Sequence, residues 1–144
     1  MKISAKTEYA CIAMLELASR HGSGEPVRIR RIAERHGVPP RFLVQILLQL
    51  KGAGLVRSTR GAAGGYHLNR PPEEISLGEV MRVIEGAVKS NGTVTSASPD
   101  SPAVKALLQA WSDIDAVQRE MLNKISFADL LERARNHDDR MYYI

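Results

Sequence analysis

The chain has 144 residues, of which 44% are hydrophobic and 25% charged, with a formal net charge of +4. That length suits one well-packed domain rather than two, and the composition excludes wholesale disorder. The longest apolar run, Tyr9 to Leu15, is far short of the roughly 20 residues that cross a bilayer. Met1–Lys6 carries no export pattern, so a cytoplasmic protein with no membrane partner is expected. The lone cysteine, Cys11, excludes an internal disulfide and a multi-cysteine metal cage.

The helical period runs from Ser4 to His21, where Tyr9, Ala10, Ile12, Ala13, Met14, Leu17 and Ala18 leave Glu16 as the only charge of the second half. A helix this apolar around its circumference should be buried on several sides. Glu25–Arg28 reads as a short strand and Ile29–His36 as a short helix closed by Gly37. Gly37-Val38-Pro39-Pro40 then forms a tight turn into a helix from Arg41 to about Ala53. Leu43, Ile46, Leu47 and Leu50 make its inward stripe, and Arg41, Val44, Gln45 and Leu48 its outward face. Two helices across a short turn, the second with polar groups outward, form a helix-turn-helix.

Leu55–Ser58 and Tyr66–Leu68 read as paired strands around the glycine-rich tip Thr59–Gly65. No Lys-Ser/Thr pair enters a helix after the glycines, so a nucleotide-binding loop is rejected in favour of a wing. Such a tip can approach a phosphate backbone while Arg60 enters a narrow minor groove; an ordinary flexible hairpin is the alternative. Ser76 and Glu79 are spaced as a reciprocal capping box for a helix ending near Glu85. Residues 86–100, rich in Gly, Ser, Asn, Thr and Pro, read as a loop. Ser101-Pro102 starts a long helix whose apolar positions include Val104, Leu107, Leu108, Trp111, Ile114, Val117 and Met121. Steps of three and four sustained along it match a partner-helix seam. Ser126–Arg135 reads as a final short helix and 136–144 as a loose tail. The expected organisation is therefore a head over 1–86, a loop over 87–101, a dimerisation helix and final short helix over 102–135, and the tail. The fold class is mainly α with a small β-wing.

Residues 28–70 hold nine Lys or Arg against the single acid Glu34. That excess suits a polyanion through counterion release, although charge alone equally describes a solvated basic face. Arg41 and Gln45 project side by side and can bridge guanine and adenine edges respectively. Val44 and Leu48 suit thymine methyls or the cover of a neighbouring surface. An enzyme finds no support: His21, His36, His67 and His137 are scattered, and Cys11 sits among apolar helix residues as a core thiol. No metal site and no cofactor are expected.

Met1-Lys2-Ile3-Ser4, Tyr9-Ala10 and Ala13-Met14 open a pattern that continues through Phe42-Leu43, Gln45-Ile46, Leu50 and Gly54-Leu55-Val56. With Arg60-Gly61, Gly64-Gly65-Tyr66 and Leu77-Gly78-Glu79-Val80 it resembles, from Met1 to about Leu131, the Rrf2 family of bacterial winged helix-turn-helix regulators. IscR-, NsrR- and CymR-like proteins belong to that family. The resemblance implies a homodimer clasped through the long helix by Val104, Leu107, Leu108, Trp111, Ile114 and Met121. Its two heads would read a palindromic operator on double-stranded DNA. Arg41, Val44 and Gln45 fall on the recognition-helix positions, and Arg60 on the minor-groove arginine. Phosphate and wing contacts are expected from Lys2, Lys6, Arg57, Ser58, Gly61, Gly64, Gly65 and Tyr66. Two departures stand out. Val44 occupies a position where iron–sulphur members typically have glutamate, and Lys89–Pro102 lacks the cysteines of their sensing loop. Glu8 lies where some relatives place a carboxylate ligand, but one carboxylate cannot hold a cluster, and a first-turn acid favours the helix dipole in any case. The expectation is a cluster-free transcription regulator, a repressor, answering to an unknown effector or protein partner. A winged-helix protein-interaction adaptor is the alternative.

Overall fold

The computed structural model describes residues 1–86, 98 and 100–142, with side chains to residue 138; most of the loop expected over 86–100 therefore lies outside the described residues. The first helix, α1, spans Ala5–Ser19. Ser4 starts it, its Oγ accepting the Thr7 N–H at 3.1 Å. Ala10, Ala13 and Met14 are wholly buried, because the helices over Pro40–Gly52, Leu77–Glu85 and Phe127–Tyr142 and the strand Gly65–Leu68 all pack on this helix. The apolar circumference thus serves a central helix.

Helix α2 covers Ile29–His36 and α3 covers Pro40–Gly52, with proline at the first position of α3. Leu43, Ile46, Leu47 and Leu50 are 0% exposed. Each such burial is worth about 1.5–3 kcal/mol, so this stripe fixes the rotation of α3 and decides which residues face out. Strands β1 (Val56–Thr59) and β2 (Gly65–Leu68) pair antiparallel, with Val56 opposite Leu68 and Arg57 opposite His67.

The strand expected over Glu25–Arg28 shrinks to a single bridge. Val27 exchanges backbone hydrogen bonds of 2.9 and 2.8 Å with Tyr66. Pro26 has no N–H to give and Arg28 already caps α2, so the ladder stops there. Gly65 is required at this crossing: a Cβ would stand 2.6 Å from the Val27 carbonyl oxygen.

A 3-10 turn over Pro72–Glu74 leads to α4, Leu77–Glu85. Here the expected reciprocal box is corrected to half of one. Ser76 Oγ accepts the Glu79 N–H at 3.1 Å, but both Glu79 carboxylate oxygens accept from Arg70 Nη2 at 2.6 Å. A charge-assisted guanidinium outcompetes the Ser76 amide.

Helix α5 runs Pro102–Lys124; Ser101 occupies its N-cap without a side-chain hydrogen bond, and no residue of the helix is buried. Its end is tied to the head: Leu77 N–H donates to Ile125 O at 2.9 Å and Phe127 N–H to Ile75 O at 3.0 Å. Gly78 lets Asn123 approach α4 so closely that a Cβ would collide with its Oδ1. Helix α6 spans Phe127–Tyr142, so the expected stop at Arg135 and loose tail from 136 are corrected by this longer helix. No glycine or proline after Arg135 interrupts it. Phe127 is fully buried in the core shared with α1 and α4.

Candidate nucleic-acid interface

With its inner stripe buried, α3 presents Arg41, Val44, Gln45 and Leu48 to solvent. The Arg41 guanidinium carbon lies 5.2 Å from the Phe42 ring centre, and that ring lies 5.5 Å from the Tyr9 ring. The second contact brings the N-terminal halves of α1 and α3 side by side, so exposed Lys2 and half-buried Lys6 belong to the same end of the molecule as Arg41. At the other end of α3, Lys51 Nζ donates to Ser58 Oγ at 2.7 Å, linking the helix to β1.

The wing tip exposes Arg60, Gly61, Ala62 and Ala63. Gly64 N–H closes the turn on Gly61 O at 2.9 Å, and Arg28 donates to the Ala62 carbonyl. Arg57 and Ser58 are exposed on β1, whereas Gly64, Gly65 and Tyr66 are half-buried. Tyr66 packs on the core beneath the sheet and acts as a post for the wing.

The nine cations of residues 28–70 divide sharply once their partners are known. Arg30 pairs with Glu34 at 3.1 Å and Arg70 with Glu79 at 2.6 Å. Arg31 and Arg35 approach Glu16 at 3.3 and 3.6 Å, with His36 at 3.7 Å from the same carboxylate. Glu16 is only 3% exposed, and it pins α2 against α1. Among the described residues, Arg28, Arg41, Lys51, Arg57 and Arg60 make no ion pair, Arg28 and Lys51 donating instead to the Ala62 carbonyl and Ser58 Oγ, and the same is true of Lys2 and Lys6. Much of the positive charge left for a polyanion therefore lies on the outward face of α3, the wing and the start of α1, with a further excess on α2, where the single Glu16 faces both Arg31 and Arg35. Beside it runs an open recess of about 620 Å³, lined by Pro26, Arg28, Arg30, Arg31, Glu34 and Arg35. The sequence reading missed the Glu16 cluster. Its one signal was a lone acid on an otherwise apolar helix half, which must find a cation when buried.

Burial, reinforced by Glu85 and Glu8, pushes the Cys11 thiol up to about 11. It stays protonated and unreactive at neutral pH. Among the described residues, no group of three or more His, Cys, Asp or Glu is placed to hold a metal ion, and no helix is long and apolar enough to cross a membrane.

Residues 3–133 match the Rrf2 family, described as iron-dependent transcriptional regulators. The transcriptional regulator CymR of Bacillus subtilis is 35% identical over 145 residues, spanning 100% of both chains. The solved structure of CymR, the global cysteine regulator of B. subtilis, superposes with a TM-score of 0.81 at 33% identity, covering 92% of this chain and 98% of that one. T. potens IscR superposes with a TM-score of 0.74 at 36% identity, over 93% of this chain and 88% of that one. The residues here do not fit an iron–sulphur cluster, because one protonated thiol cannot supply the set of thiolates that holds one. The inward stripe of α3, the wing and the long α5 together with these matches make this a winged helix-turn-helix chain, and it belongs to the Rrf2 family of DNA-binding transcriptional regulators.

Proposed function

We propose that the chain acts in the cytoplasm as a homodimeric repressor that reads a palindromic operator, without catalysis and without a cluster. The observation that carries the reading is the outward face of α3, where Arg41, Val44 and Gln45 stand exposed above a fully buried stripe. In this reading Arg41, Val44 and Gln45 meet base edges in the major groove and Arg60 enters the minor groove. Lys2, Lys6, Arg57 and the backbone of Gly61 and Gly64 hold phosphates. Ser58, Gly65 and Tyr66 serve the wing from behind. Dimerisation uses Leu107, Trp111, Ile114 and Met121, all more than half exposed, flanked by half-buried Val104 and Leu108. Two-fold symmetry in the protein then requires half-sites about one helical turn apart, roughly 10 base pairs, or a multiple of it. The signal enters through an effector or protein partner, for which the segment 87–101 is the candidate region.

A mobility-shift assay on the promoter upstream of the gene, against scrambled DNA across a salt series, tests this. A shift on the promoter that survives higher salt than the scrambled one supports the reading. No shift, or an equal one on every duplex, favours the adaptor, for which exposed Val44 and Leu48 would be the docking patch.

A further inference from the structure

We propose that Val44 and Leu48 together read thymine methyl groups in each operator half-site. This rests on the base-reading role given to α3 and names its chemistry. Val44 is 46% and Leu48 56% exposed, four residues apart on one face. The four buried residues opposite forbid any rotation that would hide them. Arg41 precedes Val44 by one turn, Gln45 lies beside it, and Lys51 follows Leu48 by one turn with its ammonium fixed to Ser58 at 2.7 Å.

An apolar pair framed by cations and an amide is a poor protein-docking core. Specific protein interfaces bury about 800 Å² per partner, and the centres of such patches are depleted of charge. The same framing suits a duplex. Cations meet phosphates and guanine, the amide meets adenine, and the only apolar group a base edge offers in the major groove is the thymine methyl. Residues four apart on a helix stand about 6 Å apart along its axis. Base pairs rise about 3.4 Å each. With α3 lying along the groove, the two side chains reach thymines about two base pairs apart.

The experiment begins with duplexes selected from a random pool by the full-length protein. Each thymine of the selected operator is then replaced by deoxyuridine, which removes only the methyl, and affinity is read by fluorescence anisotropy at fixed salt. Two positions per half-site should each weaken binding about fourfold, the ratio expected for one buried carbon. Leu48→Ala and Val44→Ala should each bind the original operator more weakly and become indifferent to the uracil at one of those positions. Both residues are exposed, so thermal melts should match the wild type, and the uracil series on wild-type protein needs no variant at all. A selected operator without thymines, or one bound equally well with uracil throughout, overturns the inference while leaving specific DNA binding intact. If selection returns no preferred sequence, the base-reading role of α3 fails first and this inference falls with it.

Discussion

In the proposed reading Gln45 and Lys6 divide the work of binding between them, one at a base edge and one at the phosphate chain. Gln45 is exposed on the outward face of α3, whereas Lys6 is half-buried in the first turn of α1. Gln45→Ala should cost roughly 5- to 150-fold per half-site on operator DNA, the range of a bidentate base contact, and little on random DNA. Lys6→Ala should weaken all duplexes alike and flatten the logarithmic salt dependence by about 1.8 per dimer, two phosphate contacts at about 0.9 each. Equal losses on operator and random DNA for both variants would refute this division. Cys11 belongs to the same scale. Its thiol holds its proton more tightly folded, at about 11, than at its ordinary value of 9.0. Its contribution to stability is then full below 9 and is lost as pH rises toward 11. Urea melts of Cys11→Ala should show a shallower decline than wild type across that window. A parallel decline in the two proteins would mean that the thiol ionises as freely folded as unfolded.

Helix α2 is positioned less by its own small apolar face than by the carboxylate it packs over. Only Ile32 is buried on it, while Glu16 gathers Arg31, Arg35 and His36. Neutralising that carboxylate with Glu16→Gln should destabilise the fold by about 1–2 kcal/mol, read from urea melts. That is less than the 3–5 of a fully buried pair, because the Arg31 and Arg35 side chains are 42% and 59% exposed and can return to water. An unchanged melt would show that α2 is held by Ile32 and the turn alone. The elements themselves were largely legible. Periodicity and the Gly37 and Pro40 signals place α2 and α3 within a residue of their observed bounds, since burial of one stripe both writes the pattern and makes the helix. Cross-element pairings were not legible. Glu16 with α2, Arg70 with Glu79 and Lys51 with Ser58 join residues whose spacing follows no period. Capping falls between the two. The Ser126–Asp129 spacing that starts α6 obeys the same rule as Ser76–Glu79, and there both halves form, at 3.0 Å each. The backbone N–H of Ser126, then its side chain, hold the Asp129 carboxyl below the usual carboxylate range.

At the scale of the whole molecule, α5 gains little burial from what this chain alone gives it. Its 23 residues include none that is buried. The pairs Gln109–Asp113, Asp115–Arg119 and Glu120–Lys124 add only about 0.2–0.5 kcal/mol each. Helical stability in proteins comes mainly from packing an apolar face. That face exists, since Leu107, Trp111, Ile114, Val117 and Met121 are each 51–59% exposed. A second α5 set against it would bury all five and fix two heads on one axis. The far end of α5 is locked to α4 through Ile125 and Asn123, and Phe127 bonds Ile75 just before α4, so a seam along α5 would also set the distance between the two copies of α3. Trp111→Glu places a charge in the middle of that seam. Sedimentation should then show monomers at concentrations where the wild type is a dimer. Operator affinity should fall by 10²–10⁴, the loss expected when two linked sites become independent. Random-DNA affinity should fall far less, and the head should still fold because Trp111 touches none of its core. A Trp111→Glu protein that stays dimeric and keeps its operator affinity would move the seam elsewhere and leave the exposed face of α5 without an occupant.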